Sequence, residues 1–213
     1  WQNQRGTVSA GIYDDAWAQT GDVDLADRGV HAAFRATWLP VWKDDGRQFL
    51  HLGASYRHVE DNNGTLRFRG TPSSHVLPNY ADTGSFAADS ADFLGLEALW
   101  NSGPVSLLGE WVTSKADAPG VGDPRFSGWY VTGSWVLTGE TRPYDRKAGY
   151  ARRVLPDGEW GALELVGRIG AVDLEDGGIQ GHAFRINTLG LNWWATRRIK
   201  IGVHWTDTRL SLP

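Results

Sequence analysis

The sequence predicts an all-β fold, specifically a transmembrane antiparallel β-barrel, and three observations carry that prediction. Apolar residues recur with a period of two rather than 3.6. The connections between the alternating runs are short and long by turns, the pattern of outer-membrane barrels. Twelve Trp in 213 residues fall largely within or at the ends of those runs, where membrane barrels carry aromatic girdles.

The elements follow in order. Runs at 7 to 13, 30 to 42 and 48 to 58 come first, then "FLGLEALW", in which Leu94, Leu96, Ala98 and Trp100 share one face against Gly95 and Glu97. Runs at 105 to 113, 127 to 138, 161 to 173 and 184 to 196 continue the pattern. In "IKIGVHW", Ile199, Ile201, Val203 and Trp205 oppose Lys200, Gly202 and His204, which makes nine strands long enough to span. Connections at 43 to 48, 101 to 104 and 196 to 198 read as tight turns, and 14 to 29, 59 to 91, 114 to 126 and 174 to 183 as long polar loops. Asn63-Gly64 in the longest loop predicts a small hairpin standing above the barrel. Trp38, Trp42, Trp100, Trp111, Trp129, Trp135, Trp193 and Trp205 all lie on or beside spans. A soluble β-sandwich also alternates and carries aromatics, but nine consecutive strands with alternating loop lengths fit it less well.

Composition excludes several functions. No cysteine is present, which removes disulfides, thiolate metal sites and a thiol nucleophile. A formal net charge of -4 gives no global cationic field for nucleic acid. No apolar run reaches the roughly 18 residues of a membrane helix, a test that strands escape because their lumen-facing residues are polar. The six His show no zinc-ligand spacing, and neither a nucleophile elbow nor a phosphate loop occurs. No enzyme, metal site or cofactor is expected. Asp14, Asp15, Asp22, Asp24 and Asp27 read as a solvated acidic loop rather than a cation site. A chain opening at Trp1 with no Met anywhere is expected to be a processed or partial product.

One segment breaks the alternation. Leu137 to Pro156, "LTGETRPYDRKAGYARRVLP", holds Arg142, Arg146, Lys147, Arg152 and Arg153. Counting spans puts 139 to 160 on the short-turn side, and a connection of that length folds into the lumen, where it narrows a wide barrel.

That segment, with "GEWGALELVGRIGAVDL" from Gly158 and "NTLGLNWW" from Asn187, resembles the phosphate-selective porin O and P family. "HLGASYRH" from His51 and "FSGWYVTGSW" from Phe126 fit the same pattern. The resemblance implies a trimeric, sixteen-stranded outer-membrane barrel of a Gram-negative bacterium, constricted by inward segments lined with Arg and Lys. Residues 1 to 213 would then be a single partial domain, the C-terminal part of that barrel. The implied function is passive diffusion of small anions, phosphate or polyphosphate foremost, beside outer-membrane lipid and lipopolysaccharide.

Partly dehydrated anions need fixed cations and donors along their path. The candidate constriction is Arg142, Arg146 and Lys147, with Tyr144 as donor; the alternative is that these side chains pair with Glu140, Asp145 and Asp157 or solvate a turn. Arg35, Arg57, Arg168 and Lys200 sit opposite the apolar faces and form a second group of lumen cations. Inward Glu97, Glu110 and Glu164 make Arg-Glu pairing across the wall an equally good use of that group. The alternative function is a structural scaffold of a surface assembly with little conductance.

Overall fold

The computed structural model describes residues 5–14, 30–60, 64–72 and 77–211. Nine strands form one antiparallel meander in which each pairs with its chain neighbours: β1 (Gly6–Asp14), β2 (Val30–Lys43), β3 (Gln48–Glu60), β8 (Ser90–Ser102), β9 (Val105–Asp117), β10 (Arg125–Val136), β13 (Ala162–Asp176), β14 (Ile179–Trp194) and β15 (Ile201–Ser211). Four two-residue strands lie in the longest loop: β4 (Thr65–Leu66), β5 (Arg69–Gly70), β6 (Ala81–Asp82) and β7 (Phe86–Ala87). Two more lie between β10 and β13: β11 (Tyr144–Asp145) and β12 (Tyr150–Ala151). All nine expected spans are present, most of them longer than the apolar alternation alone marks.

Register fixes the two faces, because successive side chains alternate. On the outer face, Phe34 opposes Tyr56 and Tyr56 opposes Leu94; further round, Leu165 opposes Leu191 and Leu191 opposes Val203. These residues are large, apolar and exposed, Val203 to 75%. A continuous belt of this kind far exceeds the apolar patches tolerated on a soluble monomer and suits contact with lipid. The inner face carries Thr37, His51, Glu97, Ser106, Glu164 and Asn192, all partly or fully buried.

Trp100, Trp135 and Trp193 each lie one or two residues from a strand end on the short-turn rim, and their rings point outward. Trp42 differs. Between the pairs Trp38↔Leu52 and Val41↔Leu50 the register shifts, with Leu39 and Pro40 in the bulge. A bulge is where a strand accepts proline, which has no N–H for the ladder. The extra residue turns Trp42 to the inner face, where it packs on Phe49 and Tyr144.

Two loops differ from the sequence expectation. The connection read as long at 174 to 183 is a two-residue turn, Gly177-Gly178, on which β13 and β14 close. Gly177 has a φ of +59°, which glycine adopts without Cβ strain, so the polar residues around it continue the strands. The longest loop does not stand above the wall. β4 pairs β7 and β5 pairs β6, and the resulting hairpin lies against inward side chains. Phe68 contacts Phe86, Phe93 and Phe126, and Tyr80 meets Phe184 edge-on. Burial of these rings in an apolar cluster with Leu174 and Ile179 holds the loop down. Asn63, one half of the expected turn, lies outside the described residues, as do Asp15, Asp22, Asp24 and Asp27 of the acidic loop.

Leu96 is the middle residue of β8 and faces outward. Leu96→Arg is expected to destabilise the full-length protein in lipid vesicles by about 2–4 kcal/mol, the cost of a cation near the bilayer midplane. Urea unfolding followed by tryptophan fluorescence reads this directly, and a change near zero would remove Leu96 from the lipid face.

Candidate functional site: an inward hairpin on the short-turn side

The segment between β10 and β13 packs against the inner face of the sheet. Its root is fixed by Val154, fully buried against Val136, Ala162 and Trp194. Arg142 pairs there with Glu164, a carboxylate only 2% exposed. Glu164 also accepts from Asn192 Nδ2 at 3.1 Å and Trp194 Nε1 at 2.9 Å. A buried carboxylate is tolerated only when its lone pairs are met by donors and a countercharge. Arg142 also donates to the Arg152 carbonyl at 3.3 Å, so it ties the segment to the wall.

Beyond the root, β11 and β12 pair as a short hairpin with Arg146, Lys147, Ala148 and Gly149 at its tip. Asp145 organises the tip: its Oδ1 accepts from the backbone N–H of Lys147 at 2.9 Å and of Ala148 at 3.0 Å. Its Oδ2 takes Arg152 Nε at 3.1 Å and Nη2 at 2.5 Å. Arg152, followed by these amides, holds the Asp145 carboxyl below its ordinary range.

The hairpin is seated by a circuit of polar contacts. The Tyr144 hydroxyl lies 2.6 Å from His51 Nδ1, and His51 Nε2 lies 2.9 Å from Glu97 Oε1. The neutral tautomer with its proton on Nε2 satisfies both contacts, the hydroxyl donating to Nδ1. Glu97 pairs with Arg35, and Arg35 Nη2 donates to the Gly149 carbonyl at 2.9 Å, returning to the hairpin. The Tyr144 ring packs 5.0 Å from Phe49 and 5.5 Å from His51, and burial pushes its hydroxyl pKa up to about 12. Gly149 closes the fit. With a φ of +70°, it presses so near the wall that a Cβ would lie 2.8 Å from both Thr37 Oγ1 and Thr7 Oγ1.

The predicted constriction residues therefore divide. Arg142 and Tyr144 are anchors, the first on a buried carboxylate and the second in an aromatic pocket. Arg146 and Lys147 are at the exposed tip, Arg146 with its guanidinium 4.9 Å from the centroid of Trp42. Neither has an acidic partner among the described residues, and the same holds for exposed Arg153. In the second group, Arg35 is paired with Glu97, Arg57 contacts His31 Nδ1 at 2.8 Å, and Arg168 lies 3.7 Å over the Tyr130 ring. Lys200 stands apart in the turn before β15, 5.3 Å from the Trp194 ring. Sequence reasoning did not single out His51 or Gly149. His51 sits at an inward position of β3, a signal of face but not of partner, and the Gly149 contact joins residues over a hundred positions apart.

Such a hairpin can present Arg146 and Lys147 from the inner face, while Arg142 and Arg35 are taken up by carboxylates. The family model of phosphate-selective porin O and P matches residues 1–209. The chain belongs to that family. Porin O of Pseudomonas aeruginosa is 27% identical over 95% of this chain and 52% of its own length. An uncharacterized protein of Caulobacter vibrioides is 33% identical over 69% of this chain and 31% of its own. The chain thus spans about half the length of Porin O, and less of the second relative. Membership in this porin family places it in the outer membrane of a Gram-negative bacterium, and the apolar outer belt is the face such a wall turns to lipid.

Gly149→Val is expected to unseat the hairpin while leaving the wall intact. Trypsin cleavage at Arg146 and Lys147 of the folded full-length protein should quicken about tenfold for each ~1.4 kcal/mol of seating lost. An unchanged rate would mean that the Thr7 and Thr37 contacts do not hold the tip.

The folded outer loop carries a pH test. Arg67 Nε lies 2.8 Å from Asp82 Oδ1, and this pair, helped by the Gly84 amide, holds the Asp82 carboxyl down to about 2. A depressed folded pKa contributes stability that is complete above the unfolded value near 3.9 and is lost as pH falls toward 2. Pepsin cleavage within 64–89 should be slower in the wild type than in Asp82→Asn at pH 4, with the two rates converging near pH 2. Equal rates at pH 4 would dismiss the pair as a loop clamp.

Proposed function

We propose that the chain is the constricting part of an outer-membrane porin that lets small anions, phosphate or polyphosphate foremost, diffuse passively down their gradient. The observation that carries the reading is the seated hairpin: Arg142, Arg35 and Arg152 are engaged with carboxylates, while Arg146, Lys147 and Arg153 lack acidic partners among the described residues. Fixed, unmatched positive charge at a narrowing favours anions, and Arg adds a planar fork suited to phosphate oxygens. The name of the relative Porin O and the family description support a porin with phosphate preference.

The nine strands are proposed as one continuous part of a larger closed barrel, its C-terminal part by resemblance to sixteen-stranded relatives. What supports closure is the pair of sheet edges: among the described residues β1 pairs only with β2, and β15 only with β14. Edge amides facing hydrocarbon without partners each cost several kcal/mol. The proposed assembly is a homotrimer in contact with outer-membrane lipid and lipopolysaccharide, as the family resemblance implies.

Reversal potentials of the full-length protein in planar bilayers across a KCl gradient test the anion reading. The wild type is expected to prefer chloride and to be blocked by phosphate. In the double variant Arg146→Ala, Lys147→Ala the chloride-to-potassium permeability ratio should fall toward one, with weaker phosphate block. An unchanged ratio would remove the hairpin tip as the selectivity element, and absent conductance would favour the scaffold.

A further inference from the structure

A second feature lies on the inner wall beside the hairpin. An open cavity of about 570 Å³ is bounded by β3, β8, β9, β10, β13 and β14, with Thr71 of the folded loop at its lip. That volume lies within the range of small-molecule sites. Its polar lining is of mixed sign. Glu97 and Glu110 oppose each other directly across β8 and β9, and Glu110 opposes Tyr130 on β10. Arg168 stacks on the Tyr130 ring at 3.7 Å.

The formal charges balance, with Arg35 paired to Glu97 and Arg168 on the same lining as Glu110, so the cavity adds little net charge to the lumen. It does add acceptors. Both donors to Glu97 fall on Oε1, which leaves Oε2 with its lone pairs for a ligand. Glu110 is exposed, and the Ser55 and Thr71 hydroxyls line the same space. The floor is apolar: Val112, Val172, Phe184 and Ile186 alternate with Gly95, Gly128 and Gly170, whose missing Cβ atoms deepen it. Glycine at these positions is also enforced by space at Gly170, where a Cβ would lie 2.8 Å from the Trp129 carbonyl.

We propose that this cavity is a hydroxyl subsite, and that the solutes the pore accommodates include phosphorylated polyols of sugar-phosphate size as well as inorganic phosphate. The inference rests on the anion reading of the hairpin and deepens it. Carboxylates accept hydrogen bonds from several hydroxyls at once, and charge-assisted bonds of this kind are the stronger class. The apolar floor fits the C–H face of a sugar ring; inorganic phosphate has no such face. The cavity adjoins the hairpin through one chain of contacts, Glu97 to Arg35 to the Gly149 carbonyl, two residues from Lys147. A phosphate group on the tip cations therefore leaves its attached polyol on the cavity side.

The test compares block of chloride current through the full-length protein by glucose 6-phosphate, inorganic phosphate and neutral glucose. Glucose 6-phosphate is expected to half-block at a concentration about tenfold below that of inorganic phosphate, the effect of one or two added charge-assisted hydrogen bonds. Glu110→Ala should raise the glucose 6-phosphate value to that of phosphate while the phosphate value does not rise. Tyr130→Phe, which keeps the ring under Arg168, should give part of the same loss. Equal half-blocking concentrations in the wild type, or a shift of both ligands together in Glu110→Ala, would overturn the subsite. Failure of the anion reading looks different: the wild type would prefer potassium and phosphate would not block. In that event block by neutral glucose that Glu110→Ala removes would still support the hydroxyl subsite, and glucose without effect on either protein would overturn it.

Discussion

Within hydrocarbon no water is present to satisfy an unpaired amide, and the rest of this structure follows from that constraint. Every backbone N–H and C=O at membrane depth needs a partner on a neighbouring strand. A meander of antiparallel strands meets this with the least chain, since each strand between the two edges pairs the spans before and after it in order. Pairing then dictates alternation, because the pleat sends successive side chains to opposite sides. One set must be apolar for lipid, and the other is released to be polar. Pro40, which has no N–H to contribute, survives in β2 because the bulge removes it from the ladder, and that same bulge sends Trp42 inward to support the hairpin.

The inner face is where a long connection can fold without violating this rule. Both inserted elements use it, by different chemistry. The loop between β3 and β8 is held by phenylalanine packing, with Phe68 between Phe86, Phe93 and Phe126. The hairpin between β10 and β13 is held by ion pairs and hydrogen bonds at two depths, Glu164 at its root and His51 and Glu97 along its side, and at Gly149 it lies close against the Thr7 and Thr37 hydroxyl pair. Polar anchoring suits the proposed role of holding cations in a wet lumen. Apolar anchoring of the outer loop leaves its charged residues, Arg67 and Asp82 among them, to pair with each other.

Much of the wall was legible in the sequence, because alternation is a local signal and lipid imposes it on every span. "FLGLEALW" could be assigned a face before any partner was known, and β8 places Leu94, Leu96, Ala98 and Trp100 outward as that reading requires. Length was harder to read. β13 and β14 run on through Asp173, Glu175 and Gln180, where polar residues interrupt the apolar alternation that marks a strand in the sequence. The inward course of the basic segment was legible from strand parity, but the division of labour within it was not. Nothing local separates Arg142 from Arg146; what separates them is Glu164, twenty-two positions from Arg142 and on another strand. His51 is equally silent, since its partners Tyr144 and Glu97 are distant in sequence and meet only when the segment folds back.

The inward glutamates look at first like an argument against an anion path, and for two of the three, Glu164 and Glu97, the contacts turn that argument round. An exposed carboxylate in the lumen repels anions, whereas one bonded to arginine contributes geometry and little field. Glu164 and Glu97 are of the second kind, each neutralised by an arginine that also reaches the segment's backbone: Arg142 to the Arg152 carbonyl, Arg35 to the Gly149 carbonyl. Removing either carboxylate would free one cation and also unseat the element that positions the others. Charge count alone thus predicts the wrong sign for such a change. In the proposed constriction the cations act only where they are held in place, and the acids do the holding.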